Sequence, residues 1–323
     1  MKPHACAVGV DIGGTKIAVG VVAADGRVLA ERTLPTDSRA GVLDGLTRIA
    51  AAVREVMHEA KKTNANVAGL GIGCAGPVDP VRGVIDNPHT LPGWPRAPIV
   101  AALTHELGVP VWLENDADAA ALGECYYGAG RGLDPVVMLT FGTGVGGAVI
   151  TRGEIFRGVG GEHPEIGHMP ISFAGAPCYC GRSGCLESIV SGTAIAEAGK
   201  AIGLINAAAV FAAAAAGNAE AAAILSHVRR ALDAAIWTVL HAYCPARIIL
   251  GGGLVEAQEA FFTTAARTAR VNAHLVAHTA VEIVPARLGA RAGLVGAAGW
   301  ALQRSQAHGR PAAHAPHPPQ PLP

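Results

Sequence analysis

The chain has 323 residues, half of them apolar and only 4% aromatic, enough for two domains with cores of Ala, Val, Leu and Ile. Its 25 basic and 25 acidic residues balance to zero net charge, which gives no electrostatic case for nucleic acid or an anionic membrane as a partner. The chain shows no apolar run of transmembrane length and no signal peptide, and its seven cysteines fit a reducing compartment. We therefore predict a cytoplasmic protein.

The first third of the chain predicts strands that alternate with helices. Its two opening strands flank the glycine turn Asp11-Ile12-Gly13-Gly14-Thr15-Lys16, and residues 78–94 predict a proline-rich loop. The apolar runs and helical spacings predict strands at 5–10, 17–22, 27–32, 67–74 and 109–113, and helices at 42–60, 99–107 and 117–127.

The opening pattern then recurs. Strands predicted at 136–139 and 145–150 flank Thr140-Phe141-Gly142-Thr143-Gly144, and Thr140 takes the place that Asp11 has in the first turn. The repeat predicts two related halves, each beginning with a hairpin at a phosphate site. The remaining predicted elements are helices at 191–201, 206–216, 219–243, 255–269 and 290–304, strands at 247–250 and 281–285, and a disordered tail at 305–323.

The two glycine turns are candidate phosphate-binding elements. Glycine lacks a Cβ, so backbone N–H groups can approach phosphate oxygens closely. Asp11 offers a carboxylate to a hydrated Mg²⁺, and Lys16 offers a point charge to phosphate. The alternative for the first turn is an ordinary hairpin, but two such turns between short apolar strands are a stronger signal than one.

Glu114-Asn115-Asp116 lies between a predicted strand and a predicted helix. Asn and Asp are common helix N-caps, which is one interpretation of the pair. The other is catalytic, because phosphoryl transfer to an alcohol needs a carboxylate that orients the hydroxyl and accepts its proton. Asp116 is then the general base, and Asn115 binds a neighbouring hydroxyl.

The segment from Gly161 to Glu187 combines one histidine with three closely spaced cysteines, namely His168, Cys178, Cys180 and Cys185. Four protein ligands fill a tetrahedral zinc ion and leave no open position, so the predicted site is structural. The alternative is a set of incidental cysteines. Glu165 and Glu187 flank the cluster, and we expect this segment to form a platform for a polyhydroxylated ligand.

Together these motifs resemble the ROK family of bacterial sugar kinases and sugar-responsive repressors, from Asp11 to about Trp300. The resemblance implies an α/β, two-domain actin-like ATPase (ribonuclease H-like) fold with substrates in the interdomain cleft. The domains are predicted as 1–117, completed by the last helix at about 290–304, and 118–289.

The resemblance also assigns roles to individual residues. It implies that Asp116 is the base and that Asn115, Glu165, His168 and Glu187 contact the sugar. Gly76 and Asn87 are expected in loops that close over the sugar, although both types also form turns. The residues predicted to bind ATP and Mg²⁺ are Asp11, Gly13, Gly14, Thr15, Lys16, Thr140, Gly142, Thr143, Gly144, Gly251, Gly252 and Gly253; for the last three, a tight strand-to-helix turn is the alternative.

We therefore predict an ATP-dependent hexose kinase acting on the 6-hydroxyl of glucose, forming a homodimer or homotetramer. His163-Pro164-Glu165 resembles the fructokinase branch of the family, whereas Cys178–Gly181 and Leu91–Trp94 resemble the glucokinase branch. Fructose, mannose and N-acetylated hexosamines are thus alternatives. A ROK repressor is an alternative of another class, but its helix-turn-helix precedes the kinase-like part, and here the first strand is predicted near Ala5.

Overall fold

A computed structural model describes residues 4–308 except 63–64, 272, 274 and 276–279. Two five-stranded sheets form its framework. The strands are β1 (His4–Ile12), β2 (Lys16–Ala23), β3 (Val28–Pro35), β4 (Ala65–Cys74), β5 (Val78–Asp79), β6 (Val84–Ile85), β7 (Val111–Asn115), β8 (Val136–Phe141), β9 (Val145–Thr151), β10 (Glu154–Ile155), β11 (Arg247–Gly251) and β12 (Glu282–Pro285).

Helices cover the faces of both sheets. They are α1 (Val42–Lys61), α2 (Ile99–Leu107), α3 (Asp116–Tyr127), α4 (Glu187–Val190), α5 (Gly192–Lys200), α6 (Ala207–Ala215), α7 (Ala219–Tyr243), α8 (Gly253–Ala257), α9 (Glu259–Val271) and α10 (Ala292–His308). Among the described residues no single helix is long and apolar enough to cross a bilayer; α6 and α7 pass that test only as a pair bent by 114°.

The two sheets have the same topology. Their strand orders are β3-β2-β1-β4-β7 and β10-β9-β8-β11-β12. In each sheet a three-stranded antiparallel meander is followed by two parallel strands. The repeated sequence pattern therefore corresponds to a structural repeat, and the two glycine turns occupy equivalent hairpins, β1–β2 and β8–β9.

Each sheet is buried by amphipathic helices. Helix α1 directs Ile49, Val53 and Val56 into the first core and leaves Arg54 on its exposed face, where it pairs with Glu106. Central strands such as β8 are buried along most of their length because helices cover both sides of the sheet. Each buried sheet therefore holds its glycine turn in a fixed position, between the first two strands of its meander.

Helix α10 returns to the first sheet and packs against β1, β4 and α3. Glycines make this approach possible: a Cβ on Gly296 would lie 1.7 Å from the carbonyl oxygen of Ala119, and one on Gly71 would lie 2.0 Å from that of Ala297. Helix α3 contacts strands of both sheets. The domain boundary proposed at residue 117 therefore falls in the first turn of a helix shared by both halves.

The structure differs from the predicted elements in a few places. The helix predicted at 255–269 is wrong as a single unit, because Gln258 leaves the helical region at φ −136° and separates α8 from α9. The 78–94 loop contains the small β5–β6 hairpin, and β10 was not predicted. Helix α10 continues to His308, past the predicted end at 304, and 309–323 lie outside the described residues.

Candidate functional site

A cavity of about 900 Å³ is lined by residues of both halves. Both glycine turns, the start of α3 and the start of α8 border it. Of the predicted residues, the lining includes Asp11, Lys16, Asp116, Thr140, Gly142, Thr143, Gly252 and Gly253. The other predicted nucleotide-binding residues, Gly13, Gly14, Thr15, Gly144 and Gly251, lie beside these in the same turns. The fold thus brings together motifs that are far apart in the sequence.

Asp11 and Asp116 share an acidic environment at this cavity. Burial, together with the charge of Asp116, raises the pKa of Asp11 to about 7, although Lys16 opposes the shift. Burial also raises the pKa of Asp116, despite the hydrogen bond from the backbone N–H of Ala117. Two carboxylates that are hard to ionise together are stabilised by a nearby cation, so the donor set fits Mg²⁺.

Glycine is required at two positions around Asp11 and the first glycine turn. A Cβ on Gly293, near the start of α10, would lie 2.7 Å from Asp11 Oδ2. A Cβ on Gly14 would lie 2.6 Å from Thr90 Cγ2, so the first glycine turn also packs against the loop after Asn87. The first turn is therefore fitted to its neighbours on two sides.

Asn115 combines the two interpretations of its motif. Its Oδ1 accepts hydrogen bonds from the N–H groups of Ala117 (2.8 Å) and Asp118 (3.4 Å), which makes it the N-cap of α3. Its Nδ2 lies beside Gly76, where a Cβ would come within 3.0 Å. The cap uses only the oxygen of the side chain, so the amide nitrogen is the group that can serve a ligand.

Asn87 is 1% exposed, and its side chain is hydrogen-bonded to its own loop and to the loop after β4. Its Nδ2 donates to the carbonyl of Ala75 (3.0 Å), and its Oδ1 accepts from the N–H of Thr90 (2.8 Å). The side chain therefore holds two loops together beside the first glycine turn. A direct sugar contact from Asn87 stays a prediction, as it does for Gly76.

The second glycine turn is tied to the segment that carries the predicted sugar contacts. Glu187 Oε2 accepts a hydrogen bond from the N–H of Val145 (2.9 Å), and a Cβ on Gly144 would lie 2.5 Å from the same oxygen. The hydroxyl of Thr193 donates to the carbonyl of Thr143 (2.8 Å). The second glycine turn is therefore fixed against Glu187, at the end of the cysteine-rich segment, and against Thr193 in α5.

His168, Cys178, Cys180 and Cys185 converge as predicted, with all four ligand atoms within 4.8 Å of one another. His168 Nδ1 lies 3.4 Å from Cys178 Sγ, and Cys180 Sγ lies 3.5 Å from Cys185 Sγ. Zinc–thiolate bonds of about 2.3 Å and zinc–imidazole bonds of about 2.0 Å put tetrahedral ligands about 3.5–3.8 Å apart. The cluster therefore has the composition and spacing of a four-coordinate metal site.

The other ring nitrogen of His168 faces Tyr179, a residue that the sequence analysis missed. His168 Nε2 lies 3.0 Å from the Tyr179 hydroxyl, and the two rings meet edge to face. The Tyr179 ring also lies 5.4 Å from the ring of His89 in the first half. Burial and the charges of Glu187 and Glu165 raise the pKa of Tyr179, so its hydroxyl stays protonated among the predicted sugar contacts.

A buried charge network behind this segment was also missed. Arg157 Nη2 lies 2.6 Å from Glu114 Oε1 and 3.5 Å from Asp118 Oδ2. His163 Nδ1 lies 3.3 Å from Asp118 Oδ1, and its Nε2 lies 3.6 Å from Glu165 Oε1. The acidic run from Glu114 to Asp118, which begins at the end of buried strand β7, was the available signal that cationic side chains must approach from elsewhere.

Comparison with known proteins agrees with this geometry. Residues 7–304 match the ROK family. A glucokinase of Halalkalibacterium halodurans is 33% identical over 316 residues, covering 93% of this chain and 95% of the relative. An N-acetylmannosamine kinase of Citrobacter koseri is 34% identical over 256 residues, covering 76% of this chain and 83% of the relative.

Solved structures give the same result. A ROK hexokinase from Thermus thermophilus has a TM-score of 0.82 at 34% identity, covering 93% of this chain and 99% of that one. A ROK glucokinase from Streptomyces griseus, in complex with glucose and AMPPNP, has a TM-score of 0.76 at 32% identity, covering 92% and 99%. The predicted actin-like ATPase fold and the predicted enzyme class, a sugar kinase, are confirmed, and the chain belongs to the ROK family.

Proposed function

We propose that the protein is an ATP- and Mg²⁺-dependent hexose kinase that transfers the γ-phosphate of ATP to the 6-hydroxyl of glucose. The observation that carries this proposal is the convergence of Asp116, Asp11 and both glycine turns on one cavity. Phosphoryl transfer requires positioning and charge stabilisation more than covalent chemistry, and this set of residues offers both.

Asp116 is the proposed base. Burial raises its pKa, and a base is most effective when its pKa lies near the working pH. It orients the 6-hydroxyl and accepts the proton as the new bond to phosphorus forms. Lys16 and the N–H groups of the two turns hold the phosphates. Asp11 would hold Mg²⁺, and the ion would supply the positive charge that neutralises the phosphates.

The sugar is proposed to bind next to this cavity. Asn115, Glu165, His168 and Glu187 supply its main hydrogen bonds, with Gly76 and Asn87 in the loops that close over it. Carboxylates accept bonds from adjacent hydroxyls, and the His168 Nε2 atom is on the side away from the cysteines. Structural Zn²⁺ on the four-residue cluster is proposed to keep this segment in its binding shape.

Glucose is the first choice because a relative that is 33% identical over 316 residues is named a glucokinase, and the S. griseus neighbour is in complex with glucose and AMPPNP. N-acetylmannosamine is a second candidate, favoured by the 34% identical kinase of that name. We also propose a cytoplasmic location and a homodimer or homotetramer.

The test is a coupled assay of ADP release with glucose, mannose, fructose, N-acetylglucosamine and N-acetylmannosamine, each with ATP and Mg²⁺. Glucose should give the highest kcat/KM, and product analysis should place the phosphate on the 6-oxygen. A separate series replaces ATP with polyphosphate to identify the donor. Failure of all five sugars with both donors, in protein that is folded and monodisperse, would refute the kinase assignment for hexoses.

A further inference from the structure

Asp118 is a fully buried carboxylate in the first turn of α3, two residues after the proposed base. Neither of its oxygens has a hydrogen-bond partner among the described residues. A buried charge without compensation is costly, so its two ion contacts, to Arg157 and His163, are what makes it tolerable. Arg157 is shared with Glu114, which is itself only 2% exposed. One guanidinium therefore serves two buried carboxylates, and His163 supplies the second cation.

His163 lies at the other end of this network, on the segment that carries the predicted sugar contacts. Its side chain is 14% exposed, and its ring lies between Asp118 and Glu165. Burial alone would lower the pKa of His163, but Asp118 and Glu165 outweigh this and the opposing charge of Arg157, and the pKa is raised. The ring is thus favoured as a cation in contact with two carboxylates.

The geometry points to His163 as a positioning residue that docks the sugar-binding segment, residues 158–168, onto helix α3 through Asp118. The same ring lies 3.6 Å from Glu165 Oε1, so it links a predicted sugar-binding residue to helix α3, which begins with the proposed base, Asp116. This inference rests on the proposed function and adds to it the residue that fixes the position of Glu165 relative to Asp116. Arg157 assists by donating to the carbonyl of Gly161 (2.8 Å) in the same segment.

Loss of the proposed docking contact should affect the KM for hexose and the KM for ATP differently. His163 does not line the cavity bordered by the glycine turns, so His163→Ala should raise the KM for hexose about tenfold and leave the KM for ATP within about twofold of wild type. His163→Asn places an amide donor near the position of Nδ1 and should restore part of the loss. His163→Gln places its donor near Nε2, further from Asp118, and should restore less.

His227→Ala is the matched control, because His227 is an exposed histidine on α7. Its hexose KM should equal that of wild type. Equal increases in both KM values for His163→Ala, or no difference between the Asn and Gln variants, would overturn the docking role. A loss of folding in His163→Ala would be visible as a lower Tm, and the Asn–Gln comparison would then decide.

Hydrogen exchange provides a readout that does not depend on catalysis. In protein without sugar or ATP, His163→Ala and Asp118→Asn should both speed amide exchange in residues 158–168, with exchange in strands β1 and β4 unchanged. If the kinase assignment fails, this measurement still tests docking. Unchanged exchange in 158–168 would overturn the inference even if hexose phosphorylation is confirmed.

Discussion

The proposed phosphate side and the proposed sugar side of the site are built in different ways. On the phosphate side, residues of two equivalent glycine hairpins line one cavity, and each hairpin belongs to a five-stranded sheet. On the sugar side, the predicted contacts are side chains on the irregular segment 158–187, where the structure shows short helical turns and isolated β-bridges. The first side depends on backbone shape, and the second depends on where side chains are held.

This difference explains the cross-links on the sugar side. The segment is held by the cluster of one histidine and three cysteines, by Glu187 on the N–H of Val145, and by His163 on Asp118. A glycine turn between paired strands depends less on such cross-links, because ladder hydrogen bonds fix the strands on either side of it. Perturbing each side separately should therefore affect different substrates.

The largest effect should come from the residue at the junction of the two sides. Asp116→Ala should lower kcat by at least ~10²-fold, because it removes a positioned base, while sugar binding remains close to wild type. Asp116→Asn keeps the shape and should be nearly as slow. The measurement is steady-state kinetics beside equilibrium binding of the sugar; turnover above half of wild type would contradict the base assignment.

The metal cluster should affect the sugar side selectively. Cys180→Ser should reduce zinc content and weaken sugar binding by about tenfold or more, with a smaller effect on ATP, because metal binding and loop folding are coupled. His168→Ala should do more damage, since it removes a ligand and a sugar contact together.

The readouts are metal per chain by atomic emission and separate affinities for sugar and ATP. Cys244→Ser, at an exposed cysteine after α7, is the control and should retain both. Active wild-type protein that contains no zinc would exclude this role for the cluster.

The phosphate side should show a conflict between stability and function at Asp11. The pKa of Asp11 is raised to about 7. Its contribution to the free energy of unfolding is therefore fully present below about pH 4 and is lost as the pH rises through 7. In metal-free protein, Asp11→Asn should therefore raise Tm by about 3–6 °C at pH 8, with little gain at pH 4, while impairing activity. Thermal unfolding across this range tests it against Asp37→Asn on the surface; a gain that does not grow with pH would be inconsistent with the raised pKa.

The smallest effect should come from the tyrosine that covers His168. Its hydroxyl occupies the nitrogen that a sugar hydroxyl is proposed to use, so the two compete. Tyr179→Phe should lower the hexose KM about two- to fivefold, in line with one hydrogen bond, and leave the ATP KM unchanged. Tyr243→Phe in α7 is the control. An increased hexose KM for Tyr179→Phe would instead show that the hydroxyl helps to bind the sugar.

Features formed by residues that are close together along the chain could be predicted from the sequence alone. The glycine turns between short apolar strands identified both hairpins, and the spacing of Cys178, Cys180 and Cys185 after His168 identified the cluster. These signals are local, because a turn or a small metal loop constrains residues that are close along the chain. The repeat of the first pattern also predicted the equivalent sheets.

The tertiary structure alone decided which distant groups meet. Asp118 and His163 belong to different predicted elements, and no spacing rule joins a buried acid to a histidine on a remote loop. Tyr179 reaches His168 Nε2 where the cysteine loop turns back on itself through the bridge between Pro177 and Ser183. The role of the glycines in α10 is visible only in the tertiary structure, where the helix packs closely against α3 and β4. Such contacts form when packing brings distant segments together. The sequence supplies the charged and small residues, but the tertiary structure decides which of them become partners.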